Sequence, residues 1–289
     1  MDNEKEIIIS DAILQRKGAR KVLDIPAEVV TLLQRGQLQT VNLTEWLAVD
    51  HSMLLENVLH ELELQQDSDT ILSGLAQLNE KKMMRIIPAI AREWLSMLDR
   101  KSEKEGSRIF NALATHRSDS VRCWACYIIG LDQRLSIEKK LTSIRPFAAD
   151  SHFGVREIAW MGVRESISKE LMESLDILKD WVRDKDANIR RFAIESTRPQ
   201  GVWAKHITEL KENPEMAISL LEAVKSDPVK YVQDSVGNWL NDASKTNPDW
   251  VMHICDEWLE ASDMKETKRI VIRAQRSLMK SHPLTNPNE

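Results

Sequence analysis

Hydrophobic and small residues recur along the chain at helical spacing. In each copy an aliphatic residue is followed four positions later by a small or aliphatic residue. The five copies pair Val121 with Ala125, Val155 with Ala159, Ile189 with Ala193, Val232 with Val236, and Ile270 with Ala274. Positions i and i+4 lie on one helix face. Each copy therefore predicts a helix that packs closely against a neighbouring unit through that face.

The spacing between the copies predicts the architecture. Successive copies begin 34, 34, 43 and 38 residues apart, near the period of HEAT and armadillo repeats, in which each unit is a helical hairpin. One amphipathic first helix is expected at 171–182, with an apolar stripe of Leu171, Leu175, Leu178 and Val182. We expect an all-α, HEAT-like helical-repeat solenoid as a single domain over 10–280. A flexible N-terminus at 1–9 and a disordered tail at 281–289 would flank it.

Capping residues and prolines predict where helices begin and end. Asp119 and Asp186 open two of the copies and suit helix N-caps. The segment Asp24-Ile25-Pro26 is typical of a helix start. Because the residue before a proline disfavours helix, we expect helices to stop at Pro146, Pro199, Pro214, Pro228 and Pro248.

Composition favours helices and excludes several classes of protein. Gly and Pro number 9 each among 289 residues, below the usual ~7% and ~5%, which disfavours a many-stranded β-fold. The 42% of hydrophobic residues suffices for a core. No apolar run approaches the ~18–20 residues of a membrane span, and the acidic, polar N-terminus lacks the pattern of a secretory signal. We expect a soluble, cytoplasmic protein without a membrane partner.

Cysteine and histidine placement favours packing over metal chemistry. The three cysteines, Cys123, Cys126 and Cys255, suit a reducing compartment. Cys123 and Cys126 form a C-x-x-C in a helical pattern. Zinc or redox chemistry is one interpretation, but the lack of a second Cys/His pair favours two buried small residues. The histidines are scattered, and no glycine-rich phosphate motif occurs. We expect neither a metal nor a cofactor.

The charge distribution permits a local nucleic-acid interface. A net charge of −5 argues against indiscriminate nucleic-acid binding but not against a local basic surface. Arg16, Lys17, Arg20 and Lys21 surround Gly18, where they could contact a phosphate backbone. A solvated loop is the alternative, because such charge runs are common in interaction segments.

Three segments in order along the chain resemble the HEAT-like DNA alkylation-repair family. Residues 189–203, IRRFAIESTRPQGVW, resemble its Arg-Arg-x-Ala-x-Glu-x-x-Arg-Pro-x-x-x-Trp segment. Residues 231–249 and 269–280 are similar to its later segments. The family comprises the alkylpurine DNA glycosylases AlkC and AlkD, and this chain resembles the AlkC kind more.

The resemblance implies a superhelix whose concave cleft holds duplex DNA. It also implies a DNA glycosylase, a hydrolase of N-glycosyl bonds, that removes cationic N3- or N7-alkylated purines without metal or cofactor. Its partner would be double-stranded DNA containing alkylated purines, and we expect a monomer because an open cleft can work alone. A carboxylate beside the sugar would stabilise an oxocarbenium-like transition state and position water.

Site residues follow from the positions that match the family's segments. Glu157 falls at the catalytic carboxylate, with Asp242 or Glu195 assisting it. Phe153 would contact the lesion's deoxyribose and Arg191 a phosphate. The other implied DNA contacts are Arg156, Arg190, Arg198, Trp203, Trp239, Lys245, Arg16, Lys17, Arg20 and Lys21. The family's common Arg-Pro-Arg-Leu-Pro-Trp is here RPQGVW at 198–203, which loses one positive charge.

Structural roles are the alternative for these residues. Glu157 taken alone is typical of a solvated or ion-paired side chain. Arg190 and Arg191 could pair with neighbouring acids, and Trp203 and Trp239 could be core residues. Ordinary HEAT proteins also carry one basic residue per repeat, as here at Arg122, Arg156, Arg190 and Arg273. Two other functions therefore stay open: a catalytically inactive HEAT-repeat protein that binds DNA structures, and a protein–protein scaffold.

Overall fold

The computed structural model describes residues 9–76, 82–201 and 203–281. Over these ranges the chain is helical and contains no strand, which confirms the all-α prediction. The helices are α1 Asp11–Leu14, α2 Ala27–Gln34, α3 Leu43–Ala48, α4 His51–Glu61, α5 Gln65–Ala76, α6 Met83–Leu98, α7 Glu103–Ala114, α8 Asp119–Leu131, α9 Ile137–Ala148, α10 Phe153–Lys169, α11 Leu171–Trp181, α12 Ala187–Ser196, α13 Thr208–Glu212, α14 Ile218–Ala223, α15 Lys230–Ala243, α16 Pro248–Ala261, α17 Lys265–Ala274 and α18 Arg276–Ser281, with 3₁₀ helices at Val22–Asp24 and Pro214–Ala217.

The chain divides into two compact units, with the boundary after Ile128 inside α8. The single domain predicted over 10–280 stays a prediction. The flexible N-terminus predicted at 1–9 and the tail predicted at 281–289 lie outside the described residues, except for Ile9 and Ser281. None of the described helices is both long and apolar enough to cross a membrane.

Aliphatic packing and a buried carboxylate hold the first unit together. Its N-terminal core consists of Ile25, Val29, Leu32, Leu33 and Leu38. The backbone N–H and the hydroxyl of Thr40 donate to the carboxylate of Asp119 at 2.9 and 3.0 Å. Asp119 is the first residue of α8 rather than the N-cap predicted from the sequence. Its carboxylate instead binds Thr40, which lies 79 residues earlier in the chain. Cys123 and Cys126 are both fully buried in α8.

A buried histidine makes the first unit sensitive to acid. His51 accepts a hydrogen bond at Nδ1 from Trp124 Nε1 at 3.2 Å, and burial lowers the pKa of its imidazole to about 4. Between about pH 6.5 and pH 4, His51 is protonated in the unfolded chain but neutral in the folded chain. The free energy of unfolding therefore decreases as the pH is lowered through that range. The lowered pKa of His116, which burial also causes, acts in the same direction.

We expect the free energy of unfolding to drop by about 2 kcal/mol between pH 7 and pH 5 through His51 alone. Urea unfolding at the two pH values measures this. The His51→Gln variant keeps a polar side chain beside Trp124 but cannot titrate, so its drop should be smaller by that amount. Equal drops in the two proteins would contradict the assignment to His51.

Helices bearing the repeat signature pack in succession in the second unit. α10 contacts α12, α12 contacts α15, and α15 contacts α17. The signature residues that these helices bury are Val155, Ala159, Ile189, Ala193, Val232, Val236, Ile270 and Ala274. α9, α11 and α16 pack against the same helices. The predicted repeat of helical hairpins is therefore confirmed in this unit.

Most predicted helix boundaries in the second unit are confirmed, and one is wrong. The helix expected at 171–182 is α11, and Asp186 caps α12 by accepting the N–H of Asn188 at 2.8 Å. Pro248 is the first residue of α16. Pro146, by contrast, lies inside α9. The last turn persists beyond this proline because the following residues, Phe147 and Ala148, are buried in the core.

Candidate functional site

α10 carries the central carboxylate on the same face as two large side chains. Glu157, Trp160 and Arg164 are spaced by three and four residues and so share that face. The indole Nε1 of Trp160 donates to Glu157 Oε2 at 2.9 Å. His152 fixes the start of the helix by accepting the N–H of Gly154 at 3.1 Å. One oxygen of Glu157 is thus oriented by its own helix.

The other oxygen of Glu157 is held by neighbouring repeats. Arg191 on α12 donates from Nη2 to Glu157 Oε1 at 2.6 Å, and the hydroxyl of Tyr231 on α15 lies 3.5 Å from the same oxygen. The side chain of Glu157 is 28% exposed and that of Arg191 only 9%. The side chain of Glu157 is therefore partly exposed while that of its partner is buried.

Ion pairs continue from this carboxylate into the protein. Arg191 Nη2 lies 3.6 Å from Glu195 Oε1, and Glu195 Oε2 pairs with Arg198 Nη1 at 3.1 Å. Arg198 in turn pairs with Asp242 Oδ2 at 2.7 Å. Including the final pair of Asp242 with Lys245 at 3.1 Å, we name this set the ion-pair chain: Glu157, Arg191, Glu195, Arg198, Asp242 and Lys245.

Burial separates the roles of the three candidate carboxylates. Glu195 and Asp242 are buried, and Ser235 also donates to Glu195 at 2.7 Å. Burial disfavours the charged guanidinium of Arg191, but the carboxylates of Glu195 and Glu157 outweigh it and raise the pKa of Arg191. Among the three acids, Glu157 alone is not buried, so it is the one that a substrate could reach.

Tyr231 is a site residue that the sequence did not single out. The guanidinium of Arg191 lies 4.1 Å from the centre of its ring and that of Arg156 lies 5.5 Å away, distances typical of cation–π contacts. The first three copies of the repeat place Ser120, Gly154 and Asn188 at the equivalent position. A bulky aromatic where earlier copies have a small or polar residue was the available signal.

The repeated arginines bind backbone carbonyls of the loop before their own helix. Arg156 Nη1 donates to the carbonyls of Asp150 and Ser151 at 2.6 and 2.8 Å. Arg190 Nη1 makes the same pair of bonds, to Asp184 and Lys185, and the rest of its guanidinium pairs with Asp227. Both arginines therefore stabilise the loop that precedes their own helix. Their predicted DNA contacts stay predictions.

The two predicted tryptophans lie in opposite environments. Trp239 is fully buried and donates from Nε1 to the carbonyl of Thr197 at 3.0 Å, so its side chain has no exposed surface. Trp203 is 65% exposed and has a φ of 60°, which is strained for a residue other than glycine. Phe153, the first residue of α10, is partly buried with its ring 4.6 Å from that of His152.

Arg164 fixes the backbone that carries Arg198 and Trp203. Its guanidinium is buried and donates to three carbonyls, those of Ser196, Arg198 and Lys205. Burial, with the nearby charge of Arg198, lowers the pKa of Arg164 to about 10. This value still leaves the side chain charged at neutral pH, so it can hold both ends of the loop.

We expect Arg164→Met to destabilise the second unit by about 3 kcal/mol or more, because it leaves buried carbonyls without donors. Thermal unfolding and limited proteolysis within 198–205 measure the effect. Arg183→Met is the matched control, since Arg183 is exposed and, among the described residues, its guanidinium donates to the single carbonyl of Lys179. A variant at Arg164 that is as stable and as protease-resistant as the control would contradict this role.

The basic run of the first unit has one structural member. Arg16 pairs with both oxygens of Glu45 at 2.9 and 2.6 Å and also donates to backbone carbonyls. Lys17, Arg20 and Lys21 are exposed. No group of three or more His, Cys, Asp or Glu side chains in the described ranges is placed to hold a metal ion.

A family model for the DNA alkylation repair enzyme matches residues 87–274. This match covers more than half of the chain and includes the whole ion-pair chain. The protein belongs to the DNA alkylation repair enzyme family. The family resemblance noted from the sequence is thereby confirmed, and the ion-pair chain is a feature of this family member's second unit.

Solved structures support the repeat fold of this DNA alkylation repair family member. The alkylpurine DNA glycosylase AlkC of Pseudomonas fluorescens, bound to DNA containing an abasic site analog, is 22% identical with a TM-score of 0.62. The match covers 79% of this chain and 61% of AlkC. AlkD2 from Streptococcus mutans is 22% identical with a TM-score of 0.56, over 73% of this chain and 97% of AlkD2. Both confirm the HEAT-like fold.

A curated relative is similar over a shorter region. The uncharacterized protein YhaZ of Bacillus subtilis (strain 168) is 31% identical over 145 residues, which is 50% of this chain and 38% of YhaZ. The chain thus matches less than two thirds of the length of both YhaZ and AlkC.

Proposed function

We propose that this protein is a DNA glycosylase that excises cationic N3- or N7-alkylated purines from double-stranded DNA. The observation that carries the proposal is the carboxylate of Glu157, held at both oxygens on a side chain that is partly exposed. Its setting in a DNA alkylation repair family member supports a role in base release. The similar fold of AlkC, whose structure contains DNA with an abasic site analog, supports duplex DNA as the partner.

The chemistry requires a negative charge beside the sugar. When the C1′–N bond breaks, its electron pair leaves with the base, which departs neutral because it was cationic. Positive charge develops on the sugar, where the Glu157 carboxylate stabilises it and accepts a hydrogen bond from water. The water oxygen then bonds to C1′, and its proton passes through Glu157 to solvent. Atoms and charge balance without a metal or cofactor.

The rest of the ion-pair chain positions this carboxylate. Buried Glu195 holds Arg191 against Glu157, and Asp242 holds Arg198. Glu195 and Asp242 are therefore proposed as positioning residues rather than as catalytic ones. Preorganised charges of this kind cost no rearrangement when the reaction occurs.

Binding of DNA structures without chemistry is the second candidate function. It is favoured by the partners that Glu157 already has, since Arg191 and Tyr231 both approach Oε1. Gln200 also stands where the resembling family has an arginine, and it accepts a hydrogen bond from Lys245 at 3.3 Å. A loop with fewer free cations would bind phosphates less strongly.

Base release and DNA binding, measured on one methylated duplex, separate the candidates. Release of free 3-methyladenine or 7-methylguanine supports the glycosylase. Salt-dependent binding without release supports the protein that binds DNA without chemistry. Binding alone does not separate the two candidates, because phosphate neutralisation would drive it in both. A folded protein that neither releases base nor binds the duplex would leave the protein–protein scaffold.

A further inference from the structure

The first unit presents an aliphatic side chain that nothing in the described residues covers. Leu23 is 96% exposed, at the middle of the 3₁₀ helix Val22–Asp24. Its neighbour Val22 is exposed as well, and so are Leu43 and Leu47 on α3, against which this 3₁₀ helix packs. Burial of aliphatic surface is favourable, so an apolar projection of this kind is typical of an interaction site.

Exposed cations precede this projection in the chain. Lys17, Arg20 and Lys21 are exposed, and within the described part of the chain they have no ion-pair partner. Asp24 is the one acid between residues 17 and 24. A partner that offers negative charge beside a gap able to take an apolar side chain would complement this surface.

The loop that carries these side chains is fixed rather than adaptable. Arg16 anchors it through both oxygens of Glu45, and Asn42 Nδ2 donates to the carbonyl of Ala19 at 2.9 Å. Gly18 has a φ of 74°, and a Cβ at this position would overlap the side chain of Asn42. Preorganisation lowers the entropic cost of binding, so the loop is suited to present Leu23 in one orientation.

We propose that residues 17–23 bind the minor groove of duplex DNA, with Leu23 inserted as a wedge and Lys17, Arg20 and Lys21 on the flanking phosphates. The shape favours this partner, because a protruding side chain enters a groove and cannot receive one. Apolar wedges between base steps, flanked by cations, are a general mode of minor-groove binding. The inference rests on the proposed function in that its partner is DNA, but it involves no residue of the ion-pair chain.

Duplex DNA of about two helical turns, without alkylated bases and with one 2-aminopurine per duplex as a stacking probe, tests the wedge without base release. We expect wild-type protein to raise the 2-aminopurine fluorescence, since inserted side chains unstack bases. Leu23→Ala should abolish this rise and weaken binding about five- to tenfold. Lys21→Ala and Arg20→Ala should each reduce the slope of log affinity against log salt by about one.

Met172→Ala is the matched control, because Met172 is an exposed aliphatic residue on α11 of the second unit. It should leave both readouts unchanged. If wild-type protein binds the duplex and Leu23→Ala binds and unstacks it equally well, the wedge is overturned while the proposed function stands. If wild-type protein binds no duplex, both fail. Concentration-dependent dimers that Leu23→Ala abolishes would instead make this surface a contact between two copies.

Discussion

Replacement of Glu157 by Gln is expected to reduce the single-turnover rate of base release by at least about 100-fold, the usual cost of removing a preorganised electrostatic group. Glutamine preserves the size of the side chain but carries no charge, so it cannot stabilise the developing positive charge on the sugar. Duplex affinity should stay within about threefold, because the exchange removes no cation from the surface. Quenched-flow release of methylated bases and fluorescence anisotropy measure the two quantities.

Glu165→Gln provides the matched control for that experiment. Glu165 lies on the same helix, is exposed, and pairs with Lys169 at 2.9 Å. The control should release bases at the wild-type rate, since an exposed pair one turn apart contributes little. A Glu157→Gln protein that excises bases as fast as Glu165→Gln would contradict the assignment of Glu157 as the catalytic carboxylate.

Gly130→Ala is expected to destabilise the second unit by about 3 kcal/mol or more, the upper range for overpacking a core. Gly130 lies where α8 approaches α10 so closely that an added Cβ would overlap the carbonyl oxygen of Gly162. The obstructing atoms belong to the backbone of a buried helix, so they cannot move aside without shifting that helix. The buried ammonium of Lys140 also donates a hydrogen bond to the carbonyl oxygen of Gly130 at 2.9 Å, and a shift of the backbone would disturb that bond.

Gly106→Ala is the control for the packing argument. Gly106 lies in α7, and the atom nearest to its added Cβ is at 3.7 Å, an ordinary contact. There the substitution should stabilise the protein by about 0.5–1 kcal/mol, because alanine loses less backbone freedom in a helix. Urea unfolding of both variants compares them directly. A Gly130→Ala protein as stable as Gly106→Ala would contradict the close approach of α8 and α10.

The repeat helices could be predicted from the sequence because their signal is local. An aliphatic residue and a small residue four positions apart specify one buried helix face, and Val155 with Ala159 shows this in the structure. Pro146 shows the limit of such rules. The proline predicts a stop, but burial of the following Phe147 outweighs that local preference.

The site could be predicted only in part, because its geometry depends on pairs between repeats. The sequence left open whether Arg191 would meet Glu157, and the two residues do pair across 34 positions. Tyr231 belongs to the same site but comes from a helix 74 positions after Glu157. No spacing rule links such residues, since the packing angles between helices decide which side chains meet.

The most direct test of the central claim is release of free 3-methyladenine and 7-methylguanine from methylated duplex DNA, with wild type beside Glu157→Gln. The account predicts release by wild type and its loss in the variant, while both proteins bind the duplex. Equal release by both, or binding by a folded wild type without any release, would contradict the claim that Glu157 and its ion-pair chain perform base excision.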